Sequence, residues 1–439
     1  MDITVPFRMG SARKPNPCHS ERTVATEETL RRALPVATAK GVTRVADITG
    51  LDRLGIPVYS AIAPTSDDGI SVYNGKGLTA VDSRTGALME AIERQTALHA
   101  NIPSITESYL NLCRSGQSVI HPQSFNHKLR DGYSDDCLCH WTEGYDLIVD
   151  ELVLVPTSAA GYGPQYISEM STYETNSTNG LASGNCFEEA LCHALCELLE
   201  RDAWTLADLR SQWIPRARRE ALLGRDLAAL DFDDPNACPR IDLKAAGEPL
   251  TGLLEKYTRA DLHPVIRDIT SDFGIPCVLA AVADDSLPGF PQAHAGTGAH
   301  PNAAIAVARA LTELAQSRAV DIQGVREDLM PAGISLHPGE RKLQRVKKVH
   351  RNRWMLMQEG RQRPFCDMAS TVNDDIADDI RLILSRLVEC GIERIIVVDL
   401  SEAGSPFTVL RVLVPGLESW ALEAGKLGSR AVAFWRQHV

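Results

Sequence analysis

Apolar and polar positions follow two patterns along the chain. Short runs rich in β-branched and aliphatic residues, bounded by turn residues, predict strands at residues 57–63, 152–155, 278–282 and 395–400. A polar stretch, Thr26 to Thr29, precedes an apolar-periodic run from Leu30, which predicts a helix start. Strands and helices alternate through the whole chain, and this order predicts a mixed α/β fold.

The same pattern predicts three regions. Residues 1–25 are rich in Pro, Ser and Arg, and we expect them to form a mobile lead-in. We expect residues 26–335 to form the core and residues 336–439 to form a C-terminal α/β subdomain of the same unit. In that subdomain the pattern predicts a helix at residues 380–389 and a strand at residues 409–414.

Composition narrows the class of protein. Hydrophobic residues make up 44% of the chain and charged residues 23%, and no apolar run approaches the roughly 20 residues of a membrane span. The first 18 residues lack the apolar stretch of a secretory signal, so we expect a cytoplasmic protein without a membrane partner. The net charge of −12 argues against a nucleic-acid partner.

The eleven cysteines do not indicate a disulfide framework, because their number is odd and they are scattered. Two groups suggest zinc at first sight, Cys137-Leu-Cys139-His140 and Cys192-His-Ala-Leu-Cys196. Neither has the paired spacing of a closed tetrahedral site. We therefore expect these cysteines to be structural and no zinc to be bound.

An internal repeat carries most of the candidate chemistry. Three segments share one pattern: residues 87–94 (ALMEAIER), 194–201 (ALCELLER) and 310–318 (ALTELAQSR). In register, Glu90, Glu197 and Glu313 align, and so do Glu93, Glu200 and Gln316. Thirteen positions before the first glutamate of each copy stand Gly77, Gly184 and His300.

Each repeat is predicted to be a helix, which places the two glutamates of a pair on one face. Glu189 lies close to the same face of the second helix. If the three helices converge, six carboxylates meet, and cations are then needed to neutralise them. Mg²⁺ is a suitable cation because it prefers oxygen ligands. Arg94, Arg201 and Arg309 are placed to hold phosphate oxygens.

A simpler interpretation of each helix also exists. A single Glu-x-x-Glu-Arg segment is more often a solvated helix face than a site. Arg309 and Glu313 are also spaced as a plain i,i+4 ion pair. The triplicate pattern favours a site over these alternatives.

With their flanks, these segments resemble the YcaO family. The resemblance extends from Glu21 to Glu418 and is carried by residues 49–57, 74–79, 90–94, 179–185, 197–201, 270–276, 309–318 and 414–418. Gly75-Lys76-Gly77 lacks the Walker frame of a phosphate loop, so we interpret it as a turn before the first acidic helix.

The resemblance implies a YcaO-like fold in which residues 26–335 bind Mg²⁺ and ATP, with the three acidic helices converging on the nucleotide. It assigns Mg²⁺ ligation to six glutamates: Glu90, Glu93, Glu189, Glu197, Glu200 and Glu313. It assigns ATP binding to Arg22, Thr29, Asn185, Arg201 and Arg309. No catalytic residue is assigned.

The resemblance also implies the reaction, which is ATP-dependent phosphorylation of a backbone amide oxygen in a peptide or protein. A Cys, Ser or Thr side chain of the substrate as nucleophile gives an azoline, whereas sulfide gives a thioamide. Ring-forming members often have a Pro-rich tail, and residues 433–439 contain no proline, which favours thioamide formation on a ribosomal peptide or protein.

Two alternative functions stay open, and we also expect partner proteins. One alternative is an azoline-forming cyclodehydratase, and the other is a nucleotide-binding accessory protein without catalysis. We expect a homodimer that works with a TfuA-like or peptide-recognition partner.

Overall fold

The computed structural model describes residues 9–16, 21–64, 66, 71–223, 233–284, 292–324, 353–419 and 427–438. In these residues the strands are, in chain order, β1 Arg44–Asp47, β2 Val58–Ile62, β3 Val72–Lys76, β4 Ile105–Ser108, β5 Leu138–Asp146, β6 Glu151–Pro156, β7 Leu181–Gly184, β8 Arg240–Asp242, β9 Val265–Asp268, β10 Cys277–Asp284, β11 Gln292–Ala299, β12 Gln362–Pro364, β13 Ile396–Asp399 and β14 Thr408–Leu413. The α-helices are α1 Thr26–Ala39, α2 Ala80–His99, α3 Tyr109–Arg114, α4 Thr157–Ala160, α5 Phe187–Asp208, α6 Ile214–Leu223, α7 Leu250–Arg259, α8 Ala303–Gln323, α9 Arg353–Leu356, α10 Ile376–Glu389 and α11 Ser429–His438.

The strands form three sheets. Their orders are β1-β2-β3, β11-β10-β9-β8-β12 and β4-β5-β13-β14-β7, with β6 paired to β5 in the third sheet. The pairing of β8 with β12 is parallel, and the other pairs of named strands are antiparallel. Helices cover these sheets, so the mixed α/β class predicted from the sequence is confirmed.

The local predictions agree with these elements. The four strands predicted from apolar runs correspond to β2, β6, β10 and β13, and the helix predicted after Thr26 is α1. In the C-terminal region the predicted helix begins four residues earlier than expected, at Ile376, because the Asp375 carboxylate accepts a hydrogen bond from the Ala377 N–H and caps it.

Each copy of the sequence repeat is a strand followed by a helix. The pairs are β3 with α2, β7 with α5, and β11 with α8, and in every case the strand stands at the end of its sheet. The three units also interlock in a cycle, because α2 contacts β7, α5 contacts β11, and α8 contacts β3. Three sheet ends therefore meet around one central region.

Glycines let each helix lie directly on its own strand. A Cβ on Gly75 would stand 2.0 Å from the Ser83 carbonyl oxygen, one on Gly184 would stand 2.5 Å from the Ala190 nitrogen, and one on Gly296 would stand 2.2 Å from the Leu314 nitrogen. Atoms cannot approach so closely, so backbone rests on backbone at these three positions.

The C-terminal region shares its core with the rest of the chain. Strands β13 and β14 lie in the middle of the third sheet, between β5 and β7, and α10 packs against α5. Buried side chains of α5 and α10, such as Leu195 and Ile380, belong to one apolar cluster. The predicted boundary between residues 335 and 336 lies outside the described residues, and the division there stays a prediction.

The segment before α1 makes specific contacts where it is described. Lys14 is buried and forms an ion pair with Asp379 of α10, and the Ala12 N–H donates to the Asp375 carboxylate. The Gly10 N–H donates to Glu188 at the start of α5. Residues 1–8 and 17–20 of the predicted lead-in lie outside the described residues.

No helix in the described ranges has the length and apolar character required to cross a bilayer.

A buried histidine, His300, lies near the contact between Lys14 and Asp379. The His300 ring is fully buried, its Nδ1 accepts a hydrogen bond from the Asn302 N–H, and its Nε2 lies 3.9 Å from the Asp379 carboxylate. Burial lowers the pKa of His300 to about 4, against the opposing effect of Glu21 and Asp379. The folded chain therefore holds this ring neutral near pH 7.

We expect the strand glycines to be essential for stability. Gly75→Ala forces a backbone shift between β3 and α2 and lowers the free energy of unfolding by about 3 kcal/mol or more. The matched control is Gly50→Ala, where a Cβ meets nothing within 4 Å, and there we expect a change within about 1 kcal/mol. Chemical denaturation of both variants measures the difference, and equal stability would contradict the close approach.

We also expect His300 to make the fold sensitive to acid. Because the folded-state pKa is lowered, its contribution is complete above the unfolded value of 6.5 and is lost as the pH falls toward 4, by about 3 kcal/mol. His300→Asn removes the titrating ring, so its unfolding free energy should fall less steeply over this interval than that of the wild type. The exposed His263 provides the control variant His263→Asn, whose slope should match the wild type. Parallel slopes for His300→Asn and wild type would contradict a neutral buried ring.

Candidate active site

A cavity of about 920 Å³ lies where the three strand–helix units meet. Its walls come from β3 and α2, from β7 and α5, and from β11 and α8, and Glu21 and Arg22 close one side. This volume is within the range of about 300–1,000 Å³ that is usual for small-molecule sites.

Five of the six predicted carboxylates line this cavity. They are Glu90 and Glu93 of α2, Glu197 and Glu200 of α5, and Glu313 of α8. Two equivalent glutamates are held in the same way: Glu90 accepts a hydrogen bond from the Asn74 N–H at 2.8 Å, and Glu313 accepts one from the Thr297 N–H at 3.3 Å. In both cases the donor precedes the glutamate by 16 residues, so the repeat includes the strand as well as the helix.

Contacts between neighbouring units fix the carboxylates relative to one another. The Thr297 hydroxyl of β11 donates to Glu200 of α5 at 2.5 Å, and Lys76 of β3 forms an ion pair with Glu313 of α8. Ser183 of β7 donates to the main-chain oxygen of Met89 in α2. Each contact joins the strand of one unit to the helix of another.

Lys76 corrects one interpretation made from the sequence. Gly75 and Lys76 belong to strand β3 and not to a turn, because they pair with Tyr59 and Val58 of β2. The lysine side chain can therefore reach Glu313, 237 residues further along the chain. Nothing local in the sequence indicated this partner.

The two repeated arginines have matching surroundings. Arg94 lies 3.8 Å from both Glu90 and Glu93, and Arg201 lies 3.7 Å from Glu197 and 3.6 Å from Glu200. Both guanidinium groups line the cavity. At these distances the pairs are ion pairs without a close hydrogen bond.

Arg309 has a carboxylate partner that the sequence analysis missed. Its guanidinium contacts Glu21 at 3.0 Å, and both groups line the cavity next to Arg22. Burial alone would raise the pKa of Glu21, but Arg309 and the other basic groups nearby together outweigh that effect and hold the pKa well below its usual value. The Arg309 guanidinium therefore points into the cavity, and its predicted contact with ATP stays a prediction.

The three remaining predicted residues form a chain of hydrogen bonds behind the cavity wall. The buried Thr29 hydroxyl donates to the Asn185 side-chain oxygen at 3.1 Å, and the main-chain and side-chain N–H groups of Asn185 both donate to Glu189 at 2.8 Å. Thr23 also donates to Glu189. None of Thr29, Asn185 and Glu189 lines the cavity in this structure, and their predicted contacts to ATP and Mg²⁺ stay predictions.

The pKa values of the glutamates on α2 and α5 indicate how closely these carboxylates are placed. Burial raises the pKa of Glu93 to about 8, and the neighbouring Glu197 and Glu90 raise it further although Arg94 opposes them. Burial likewise raises the pKa of Glu197, and Glu200 adds to that rise. Among the described residues, Arg94 therefore offsets the rise at Glu93 only in part, and Arg201 offsets that at Glu197 only in part.

The α8 wall of the cavity differs from the α2 and α5 walls in the direction in which the pKa of its glutamate is shifted. Burial would raise the pKa of Glu313, but Lys76 and Arg201 outweigh it and lower that pKa below its usual range. A cluster with closely spaced carboxylates on one side and basic groups at its margins fits divalent cations that carry an anionic ligand. This arrangement fits Mg²⁺ bound together with phosphate groups.

Comparison with known proteins identifies relatives over nearly the whole chain. A family model described as YcaO cyclodehydratase, ATP- and Mg²⁺-binding, matches residues 74–418. An uncharacterised protein of Methanothermobacter thermautotrophicus is 36% identical over 414 residues, which are 93% of this chain and 97% of that protein. An uncharacterised protein of Rhizobium leguminosarum bv. trifolii, from the tfuA 3′ region, is 32% identical over 421 residues, which are 94% of this chain and 93% of that protein.

The fold is also known from solved structures. That of YcaO from Methanopyrus kandleri, bound with AMPPCP and Mg²⁺, resembles this chain with a TM-score of 0.69 and 23% identity, over 96% of this chain and 98% of the other. The family description names ATP and Mg²⁺, which confirms the cofactors predicted from the sequence. The extent of the family match, together with relatives more than 30% identical over almost their full length, shows that the chain belongs to the YcaO family.

Proposed function

We propose that this protein uses Mg-ATP to phosphorylate the oxygen of a peptide backbone amide and that the product is a thioamide. The observation that carries the proposal is the convergence of five carboxylates and three arginines, from all three strand–helix units, on one cavity. ATP supplies the phosphoryl group, and Mg²⁺ supplies charge neutralisation between the carboxylates and the phosphates.

An amide oxygen is a poor leaving group, so the reaction must first convert it into a good one. Hydrosulfide adds to the amide carbon, the resulting oxyanion takes the terminal phosphoryl group, and ADP is released. The carbon–oxygen bond then breaks, the oxygen leaves as hydrogen phosphate, and the thioamide remains. Amide, hydrosulfide and ATP are thus converted to thioamide, ADP and phosphate with no change in redox state.

The chain's residues have separate tasks in this scheme. Glu90, Glu93, Glu197, Glu200 and Glu313 hold the cations. Arg309 and Arg201 bind phosphate oxygens, and they stay charged throughout because guanidinium groups do not deprotonate in proteins. Since these groups are placed before the reaction, they stabilise the developing charge without reorganisation.

The preference for a thioamide rests on one relative. The Rhizobium relative, 32% identical, is encoded in the tfuA 3′ region, which supports a TfuA-like partner for this chain as well. The family description names a cyclodehydratase, so azoline formation on Cys, Ser or Thr is the second candidate.

We expect Mg-ATP to bind through the repeated helices. Glu197→Gln, Glu200→Gln and Glu313→Gln each remove one carboxylate from the cavity and should weaken binding at least about tenfold, or 1.4 kcal/mol. Isothermal titration calorimetry measures the affinity. The control is Glu255→Gln, which changes an exposed glutamate in an i,i+4 pair with Arg259 and should bind like the wild type. Wild-type affinity in all three cavity variants would refute this nucleotide site.

We also expect the product to be a thioamide. The full chain is incubated with a pool of capped synthetic peptides, Mg-ATP and sulfide, with and without a TfuA-like protein, and products are followed by mass spectrometry. Exchange of oxygen for sulfur raises the peptide mass, whereas cyclodehydration lowers it by one water. A loss of water at Cys, Ser or Thr that is independent of sulfide would replace the proposal by the cyclodehydratase. Nucleotide binding without turnover under any of these conditions would support an accessory protein instead.

A further inference from the structure

Lys76, at the end of strand β3, has no task in the reaction as proposed above. Its side chain lines the cavity and forms an ion pair with Glu313 of α8. The Lys76 side chain is 23% exposed and that of Glu313 is 28% exposed, so a ligand in the cavity can reach both. Within the described ranges Glu313 is the only carboxylate in ion-pair contact with this lysine. The ammonium group can therefore bind a second anion if Glu313 takes another cation.

The two oxygens of Glu313 have different partners. Oε2 accepts a hydrogen bond from the Lys76 ammonium, whereas Oε1 accepts one from the Thr297 N–H of β11 at 3.3 Å. Because Oε1 is directed at the main chain, Oε2 is the oxygen that faces the cations of the cavity. A metal ion and an ammonium group on the same oxygen repel each other, since both are positive and lie close together. Mg²⁺ and Lys76 therefore compete for Oε2 of Glu313.

Lys76 shares its side of the cavity with two arginines. All three basic groups act on the ring of His193, which lies on α5 and lines the cavity. Burial, then Arg309, and to a smaller extent Arg22 and Lys76 lower the pKa of this ring to about 3, against the opposing effect of Glu21. Cations from three separate segments of the chain therefore lie near one point of the cavity wall, an arrangement suited to a polyanion.

We propose that Lys76 is a phosphate-binding residue that exchanges its partner when Mg²⁺ and nucleotide bind. Lys76 gives up Oε2 of Glu313 to Mg²⁺, and its ammonium group moves to a phosphate oxygen on the side of the cavity where Arg309 stands. The main chain of Lys76 stays in place because it pairs with Val58 of β2, and the four-carbon stem allows the ammonium group to move. This assignment rests on the nucleotide site of the proposed function and adds a residue to it.

The exchange predicts opposite effects on the binding of metal alone and of metal with nucleotide. Lys76→Gln removes the competing ammonium group, so the full chain should bind Mn²⁺ without nucleotide about threefold more tightly than the wild type, as measured by electron paramagnetic resonance. The same variant loses a charge-assisted hydrogen bond to phosphate. Isothermal titration calorimetry with Mg²⁺ and a non-hydrolysable ATP analogue should therefore show binding that is about tenfold weaker.

The matched control is Lys128→Gln, which also removes the lysine of a lysine–glutamate ion pair, here with Glu174 and outside the cavity lining. Both of its affinities should equal those of the wild type. Lys76→Met is a second uncharged variant and should repeat both signs. Weaker binding of both ligands would show a purely structural ion pair, and tighter binding of both would show only a competitor of the metal. Either result, or no change in either affinity, would overturn the proposal.

This proposal and the nucleotide site on which it rests fail in different ways. Titration of the wild type with Mg²⁺ and the ATP analogue tests the site by itself, and absence of binding there would reject the proposed function together with the phosphate contact of Lys76. Normal binding by the wild type, with no loss of affinity in Lys76→Gln, would reject the role of Lys76 and keep the nucleotide site.

Discussion

The contact of three helix backbones with three strand backbones is the constraint on which the site depends. Gly75, Gly184 and Gly296 have no side chain to hold the helix away, so each helix lies at the smallest possible distance from its strand. The glutamates of that helix then stand over the strand edge, within reach of its main-chain N–H groups. Main-chain N–H groups hold Glu90 and Glu313 in this way, and side-chain contacts from Thr297 and Lys76 connect Glu200 and Glu313 to neighbouring units.

Sequence reasoning succeeded where the determinants were local. The spacing of Glu90 and Glu93 places both on one helix face whatever the rest of the chain does, and a threefold repeat makes a shared role for the copies a reasonable prediction. The mixed α/β class followed from the order of the elements, and the family from motifs that span almost the whole chain. These inferences need no knowledge of distant contacts.

Contacts between remote parts of the chain could not be predicted. Thr297 reaches Glu200 across 97 residues and Lys76 reaches Glu313 across 237, and no spacing rule connects such pairs. The same reason explains why the sequence did not indicate Glu21, since its partner Arg309 lies 288 residues further along the chain.

The third copy of the repeat has departed from the other two. Gln316 and Ser317 stand where the first two copies have a glutamate and an arginine, so this wall carries less charge and smaller side chains. A cavity with three identical walls would be symmetric and would present the same side chains on every side. The cavity is therefore asymmetric although its three walls are built alike. A bound molecule meets a different surface on the side of α8 than on the sides of α2 and α5.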